Sequence, residues 1–416
     1  MKNYKKVYAA FILAGGLILH GCNGIFDDLA INPNQPSMGA YFTSPSAVND
    51  AVMTMYGYMS TQRCLGASGS KTTIIRSDEA SSNSDYGKPG MFGADLNASY
   101  YTIEQPYTLM YTTASQASYI IETAPSVDFS GNEELRNAYM GEAYFWRAFA
   151  HYYLLINFRN ISPIRQMPRN GDDYVRPLEK PAAVWDFIQE DLAHAKELLP
   201  VKGYWDSKNA GRVTKASAAA LLGKAYLYRS GIEQYYGEDK TTFYSEAAKE
   251  FGDVIDGKYG TYDLTKNYAD NFDVAHENNE ESILEFQFLG DVDNAGFNPG
   301  LATSGLAFDS RGLMLPGAGV GYEGVVHNWL YNAFVNSVDK DGYTDIRMFS
   351  TMIFNDLDAS IHLRNDAGGN PVRLEGPGGY KWEELYPAKN GKEGFATVSN
   401  PLAHSFKAGI RKGIDC

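Results

Sequence analysis

Ser68 and Lys71 stand in a Ser-x-x-Lys spacing, which on a helix sets an amine one turn from a nucleophilic hydroxyl. An acylating enzyme of that kind also needs Ser-Asp-Asn and Lys-Thr-Gly, and neither triplet occurs. The spacing is therefore read as coincidence. There is no Gly-x-Ser-x-Gly elbow and no His-Glu-x-x-His pair among the seven histidines. His151 lies in an apolar helical stretch and is expected to be a satisfied core or surface residue rather than a ligand. Cys22, Cys64 and Cys416 have no metal-site spacing. A Cys64–Cys416 disulfide is left open, although Cys416 is the last residue. Asp291-Val292-Asp293 and the 339–342 segment resemble the start of calcium loops, but both lack the glutamate at the twelfth position. They are read as structural turns. The glycine-rich 317–321 stretch lacks the Lys-Ser/Thr of a phosphate loop, and no cofactor is implied.

Binding chemistry is better represented than catalytic chemistry. Sugar rings present apolar C–H faces to aromatic side chains, and their hydroxyls bond Asp, Asn and Arg. One segment with that composition carries Arg76, Asp78, Asn83, Tyr86, Asn97, Tyr100 and Tyr101. A second carries Phe308, Arg311, Tyr322 and Trp329. The bland alternative is that these rings only pack loops onto a scaffold. Carboxylates are plentiful, so a glycosidase pair remains open by count, but no particular pair stands out.

Charge and composition narrow the partners. The net charge of −14 offers no basic footprint for nucleic acid and disfavours adsorption to anionic lipid. A hydrophobic fraction of 44% supports a sizeable core, and the 30 tyrosines suit contacts with neutral polar ligands. At the N-terminus, Lys2, Lys5 and Lys6 precede an apolar run from Val7 to Leu19 that is too short to span a bilayer. Leu19-His20-Gly21-Cys22 follows, a lipobox-like ending in which His20 departs from the usual small residue. It implies a signal peptide over 1–21 and lipidation, palmitate included, of Cys22. Each buried methylene of such an anchor contributes about 0.8 kcal/mol. Residues 22–43, with Pro33 and Pro36, read as a tether.

Helical periodicity dominates 44–260, the expected scaffold. Ser44 and Pro45 should open the first helix, with Val48, Val52, Met55, Tyr56 and Met59 inward. A second is expected over 107–123, with Met110, Ala117, Ile120 and Ile121 inward. Ser130 and Glu133 suggest a capping box for a third, whose apolar stripe from Leu135 to Ile156 only Glu142 interrupts. Pro181 should open a fourth, carrying Val184, Ile188, Leu192, Ala195 and Leu199 inward. Thr214 should cap a fifth, with a small-residue face from Ala216 to Ala225, Leu221, Leu222, Tyr226 and Leu227 filling the rest, and its end at Gly231. A sixth should start at Thr241 or Thr242 with Tyr244, Ala248, Phe251 and Ile255 inward. Short connections make these helix pairs in the manner of irregular tetratricopeptide repeats. The expected class is mainly α, with few short strands and a loop-rich region over 261–416. A strand is expected at 283–288 and a helix near 325–334.

Five stretches, in order, resemble the SusD/RagB family of outer-membrane nutrient-binding lipoproteins. They are the lipobox and tether to Pro36, Ser77-Asp78-Glu79, Gly141-Glu142-Ala143-Tyr144-Phe145-Trp146-Arg147, Arg212-Val213-Thr214-Lys215-Ala216, and Glu280-Glu281-Ser282-Ile283-Leu284-Glu285-Phe286. The likeness covers roughly residues 19 to 350. Such proteins continue into a further helical segment that packs back onto the repeats, which this sequence to Cys416 lacks. The resemblance implies a non-enzymatic, lipid-anchored protein on the outer face of the outer membrane. It would bind an oligosaccharide or peptide and cap a TonB-dependent transporter of the SusC type. A surface glycoside hydrolase and a protein-binding repeat scaffold are the alternatives.

Overall fold

The computed structural model describes residues 42–61, 63–65, 76–81, 97–167, 175–272, 276–287, 325–345, 347–353 and 404–405. The protein is mainly helical, with helix pairs stacked in the tetratricopeptide manner. α1 (Pro45–Ser60) packs on α2 (Tyr101–Thr123) and α3 (Glu133–Phe158); α3 packs on α4 (Pro181–Leu198), α4 on α5 (Lys215–Tyr236), and α5 on α6 (Tyr244–Ile255). One apolar core runs through α1 to α5. Trp146 and Trp185 are among its largest fully buried side chains. Phe42, ahead of α1, already joins it, edge-on to Tyr119 at 4.5 Å between ring centroids.

Several expectations hold in detail. Ser44 caps α1, its hydroxyl accepting from Ala47 N at 3.3 Å, and the five inward residues of α1 are buried. Thr214 and Ser217 form the capping box of α5. Gly223 on the small-residue face of α5 lets Phe251 approach so closely that a Cβ there would meet the ring at 2.8 Å. Gly141 does the same for α4, since a Cβ would lie 2.9 Å from Leu199 N and Cγ.

Other expectations need correction. α2 begins at Tyr101, not 107, and runs through Pro106. A proline so near the start forfeits only one hydrogen bond, to the Thr102 carbonyl. α3 is capped by Asn132, whose side chain accepts from Leu135 N at 3.1 Å. Ser130 cannot serve as that cap, because it sits at φ 54 in a turn closed by its N–H on Asp128 Oδ1. α5 passes through Gly231 and ends at Gly237, which takes the left-handed φ of 72. Its Leu227 is exposed rather than inward. In α6 the buried residues are Ala247, Glu250 and Val254, while Tyr244, Ala248 and Ile255 face out. Glu250 can turn inward because Lys196 Nζ of α4 meets its carboxylate at 2.6 Å and 2.7 Å.

No strand forms over 283–287; Phe288 lies outside the described residues. The segment has no ladder partner, and side chains satisfy it instead. Ser217 Oγ donates to Ile283 O, and Asn278 N and Ser282 Oγ both donate to Glu285 Oε2. Leu284 and Phe286 still reach the core. Likewise 325–334 is not one helix. Val325–Val326 forms β2, and α7 spans Asn328–Asn336. β2 lies in an antiparallel sheet of two-residue strands in the order β1–β2–β4–β3, with β1 Ala80–Ser81, β3 Met352–Ile353 and β4 His404–Ser405. The short helix α8 (Met348–Thr351) immediately precedes β3.

Buried ion pairs tie the stack together. Arg212 grips Glu142 from Nη2 at 2.8 Å and from Nε, while the Tyr56 hydroxyl donates to Glu142 Oε2 at 2.6 Å and accepts from Val213 N at 2.8 Å. Burial pushes the Glu142 carboxyl above its ordinary range, and Arg212 and Tyr56 offset part of that. Arg147 holds Asp191 through two bonds of 2.7 Å, and bonds Ser118 Oγ and Arg165 O. The glutamate that interrupts the apolar stripe of α3 is thus the partner of an arginine arriving from the segment before α5.

Candidate functional site

Two stretches with aromatic, acidic and amide side chains, far apart in sequence, meet through a strand pair. Ala80 pairs with Val326 and Ser81 with Val325, and His327 N donates to Glu79 O at 2.9 Å. This ladder carries the 76–79 turn against the start of α7. Trp329 Nε1 then donates to the backbone carbonyl of Asp78 at 2.5 Å. The indole is 49% exposed. A ring whose only polar atom is already bonded presents a fixed apolar face to solvent.

Arg76 lies at the inner end of the same turn, half-buried. It is close enough to Tyr153 of α3 to act on its phenol. Burial pushes that phenol up, Cys64 adds to the effect, and the Arg76 charge pulls it back. The turn is held against α7 at Glu79 and Asp78. Cys64 itself is a buried free thiol, pushed up by desolvation.

The other expected site residues fall into two groups. Asn97 and Tyr100 build the start of α2: Asn97 Oδ1 accepts from Ser99 N at 3.0 Å, and the Tyr100 carbonyl accepts from Ile103 N and Glu104 N. Tyr101 is the first residue of α2. Asn83, Tyr86, Phe308, Arg311, Tyr322 and Cys22 lie outside the described residues. Sequence reasoning missed the backbone contribution of Glu79 and the two-residue strand at Val325–Val326. Two adjacent β-branched residues were the available signal, but two residues carry too little periodicity to separate strand from helix.

Nearby turns close on themselves. Asp339 Oδ1 accepts from Asp341 N at 2.8 Å and from Tyr343 N at 3.1 Å, so this acidic loop satisfies its carboxylate with its own backbone. Arg347 holds the Asp345 carboxyl below its usual range. Among the described residues no group of three His, Cys, Asp or Glu side chains converges on a point that could hold a metal ion. The arrangement at Trp329 is a half-exposed indole tied to the Asp78 backbone carbonyl, which suits ligand capture.

Known proteins resemble this chain in sequence and in fold. Residues 30–227 match a SusD-like family model described as starch-binding associating with outer membrane. A SusD-like protein of Bacteroides ovatus is 26% identical over 293 residues, 70% of this chain and 51% of that one. SusD-like protein P2 of Formosa agariphila is also 26% identical, over 71% of this chain and 55% of its own length. The chain thus spans about half the length of these curated relatives. In fold, a SusD superfamily protein from Bacteroides vulgatus superposes with a TM-score of 0.60 at 21% identity, covering 76% of this chain and 63% of that one. A laminarin-binding SusD-like protein gives 0.59 at 22%, covering 75% and 67%. The chain is similar to SusD-like proteins in sequence, over residues 30–227 for the family model, and in fold.

Proposed function

We propose that this protein is a surface lipoprotein that binds a neutral glycan at the Trp329 platform and passes it to a TonB-dependent transporter of the SusC type. The observation that carries the reading is the half-exposed Trp329, locked by its indole N–H onto the Asp78 carbonyl. A pre-ordered ring takes a pyranose face without losing further side-chain freedom. The family description as starch-binding and the laminarin-binding neighbour support a carbohydrate over a peptide. In this reading residues 1–21 are a signal peptide, lipidated Cys22 and the 22–43 tether attach the body to the outer membrane, 44–260 is the scaffold, and 261–416 supplies most of the ligand contacts. The protein binds and does not cleave.

Isothermal titration against starch, laminarin and other neutral oligosaccharides tests this. Trp329→Ala should weaken binding of the active sugar at least tenfold, about 1.4 kcal/mol. Silence across the panel, or full affinity in Trp329→Ala, would sink the assignment of the site.

A further inference from the structure

The ends of α3 and α5 display a second set of rings, remote in sequence from Trp329. α5 finishes with Tyr235 and Tyr236, which are 84% and 55% exposed, before Gly237 turns the chain away. Their centroids lie 5.2 Å apart at 86°, so one ring stands edge-on to the other. Tyr236 is backed by the Arg159 guanidinium, 4.2 Å from its ring centroid. That guanidinium is fixed in turn. Nη1 and Nη2 of Arg159 bond the two oxygens of Glu233 at 2.7 Å and 3.0 Å, and the Trp185 indole donates to the same carboxylate at 2.8 Å. Glu233 is fully buried, and Arg159 reaches it from a left-handed backbone, φ 61, that a non-glycine residue adopts only under local constraint.

A buried carboxylate, a constrained arginine and a cation–π contact thus converge to hold one tyrosine face at the surface. Such contacts between arginine and an aromatic ring are attractive, because the guanidinium charge meets the negative face of the ring. The positive charge of Arg159 is spent on Glu233, with Glu238 3.6 Å away, so Arg159 offers little attraction to an anionic ligand. Tyrosine hydroxyls add donors and acceptors at the rim.

We propose that Tyr235 and Tyr236 form a second binding surface for the same neutral glycan class, used when the ligand is a long polymer. This rests on the glycan reading of the Trp329 site and extends it. A polysaccharide repeats its unit, so two modest sites on one molecule engage one strand with avidity that neither has alone.

The test uses the full chain with the oligosaccharide found active in titration and with its parent polysaccharide. The wild type should bind two short oligosaccharides per molecule, and Tyr235→Ala/Tyr236→Ala one, with the helical circular-dichroism spectrum retained. Affinity for the polymer should fall at least tenfold in that double variant, while Tyr236→Phe keeps it. Trp329→Ala should retain one site. A single oligosaccharide site in the wild type, or polymer affinity in the double variant within twofold of wild type, overturns the second surface and leaves the Trp329 reading intact. Loss of all sugar binding in Trp329→Ala has the same meaning. A patch that serves a protein partner instead gives that unchanged polymer titration. If the wild type binds no sugar, the Trp329 reading fails as well.

Discussion

His151 and Glu142 show how single buried polar residues become specific once their partners arrive. Ile164 N donates to His151 Nε2 at 2.9 Å, so the ring proton sits on Nδ1 and is given to Arg147 O at 2.7 Å. Burial, with the neighbouring arginine charges, lowers the imidazole to about 3 from an ordinary 6.5. Between those values the unfolded chain binds a proton that the native chain refuses. The stabilisation is therefore complete above pH 6.5 and is lost as pH falls toward 3. From pH 7 to pH 5 it should cost about 2 kcal/mol, read from urea midpoints. His151→Gln should remove that share of the slope, and an unchanged slope would contradict the assignment. The Glu142–Arg212 pair carries a larger penalty when broken from one side. Arg212→Ala leaves a buried carboxylate unpaired and should destabilise by about 3–5 kcal/mol in denaturant unfolding. Replacing both residues with methionine should recover most of that. Equal losses in the single and double variants would show that packing, not charge, was at stake.

At the level of elements, close approach overrides local propensity. Gly141 sits inside α3, where alanine would favour the helix by about 1 kcal/mol. Its missing Cβ is the space through which Leu199 N and Cγ come in, at 2.9 Å from where a methyl would stand. One contact is backbone and cannot rotate away, so overpacking of about 1–3 kcal/mol should outweigh the propensity gain. Gly141→Ala is expected to lower the melting temperature, and a raised one would mean that the end of α4 yields freely. The rotation of α6 has a similar cause. A stripe of Tyr244, Ala248 and Ile255 is as apolar as the face that is buried, and periodicity alone chose it. Docking was decided by Glu250, which found Lys196, and by the hollow at Gly223 that receives Phe251.

For the molecule as a whole, the helical stack serves as a rigid base from which short strands hold a turn and a tryptophan in register. No helix among the described residues is long and apolar enough to cross a membrane. In the proposed function, attachment rests on lipidated Cys22. Cys22→Ala should move the protein from the membrane pellet to the soluble fraction and abolish labelling by radioactive palmitate. Retention of label in that variant would rule out Cys22 as the acylated residue.

Periodicity along the chain was enough to establish a mainly helical stack, the inward faces of α1 to α4, and the caps at Ser44 and Thr214. These depend on contacts within three or four residues, which linear order already specifies. Of the proposed site, composition alone pointed to Arg76, Asp78 and Trp329 as separate residues in two loops. Their union required a strand pair between positions about 250 residues apart, whose partners no local pattern names. The same holds for Glu142 with Arg212 and for Arg159 with Glu233. A buried charge is tolerable only beside its counterion, and that neighbour is set by how the helices dock.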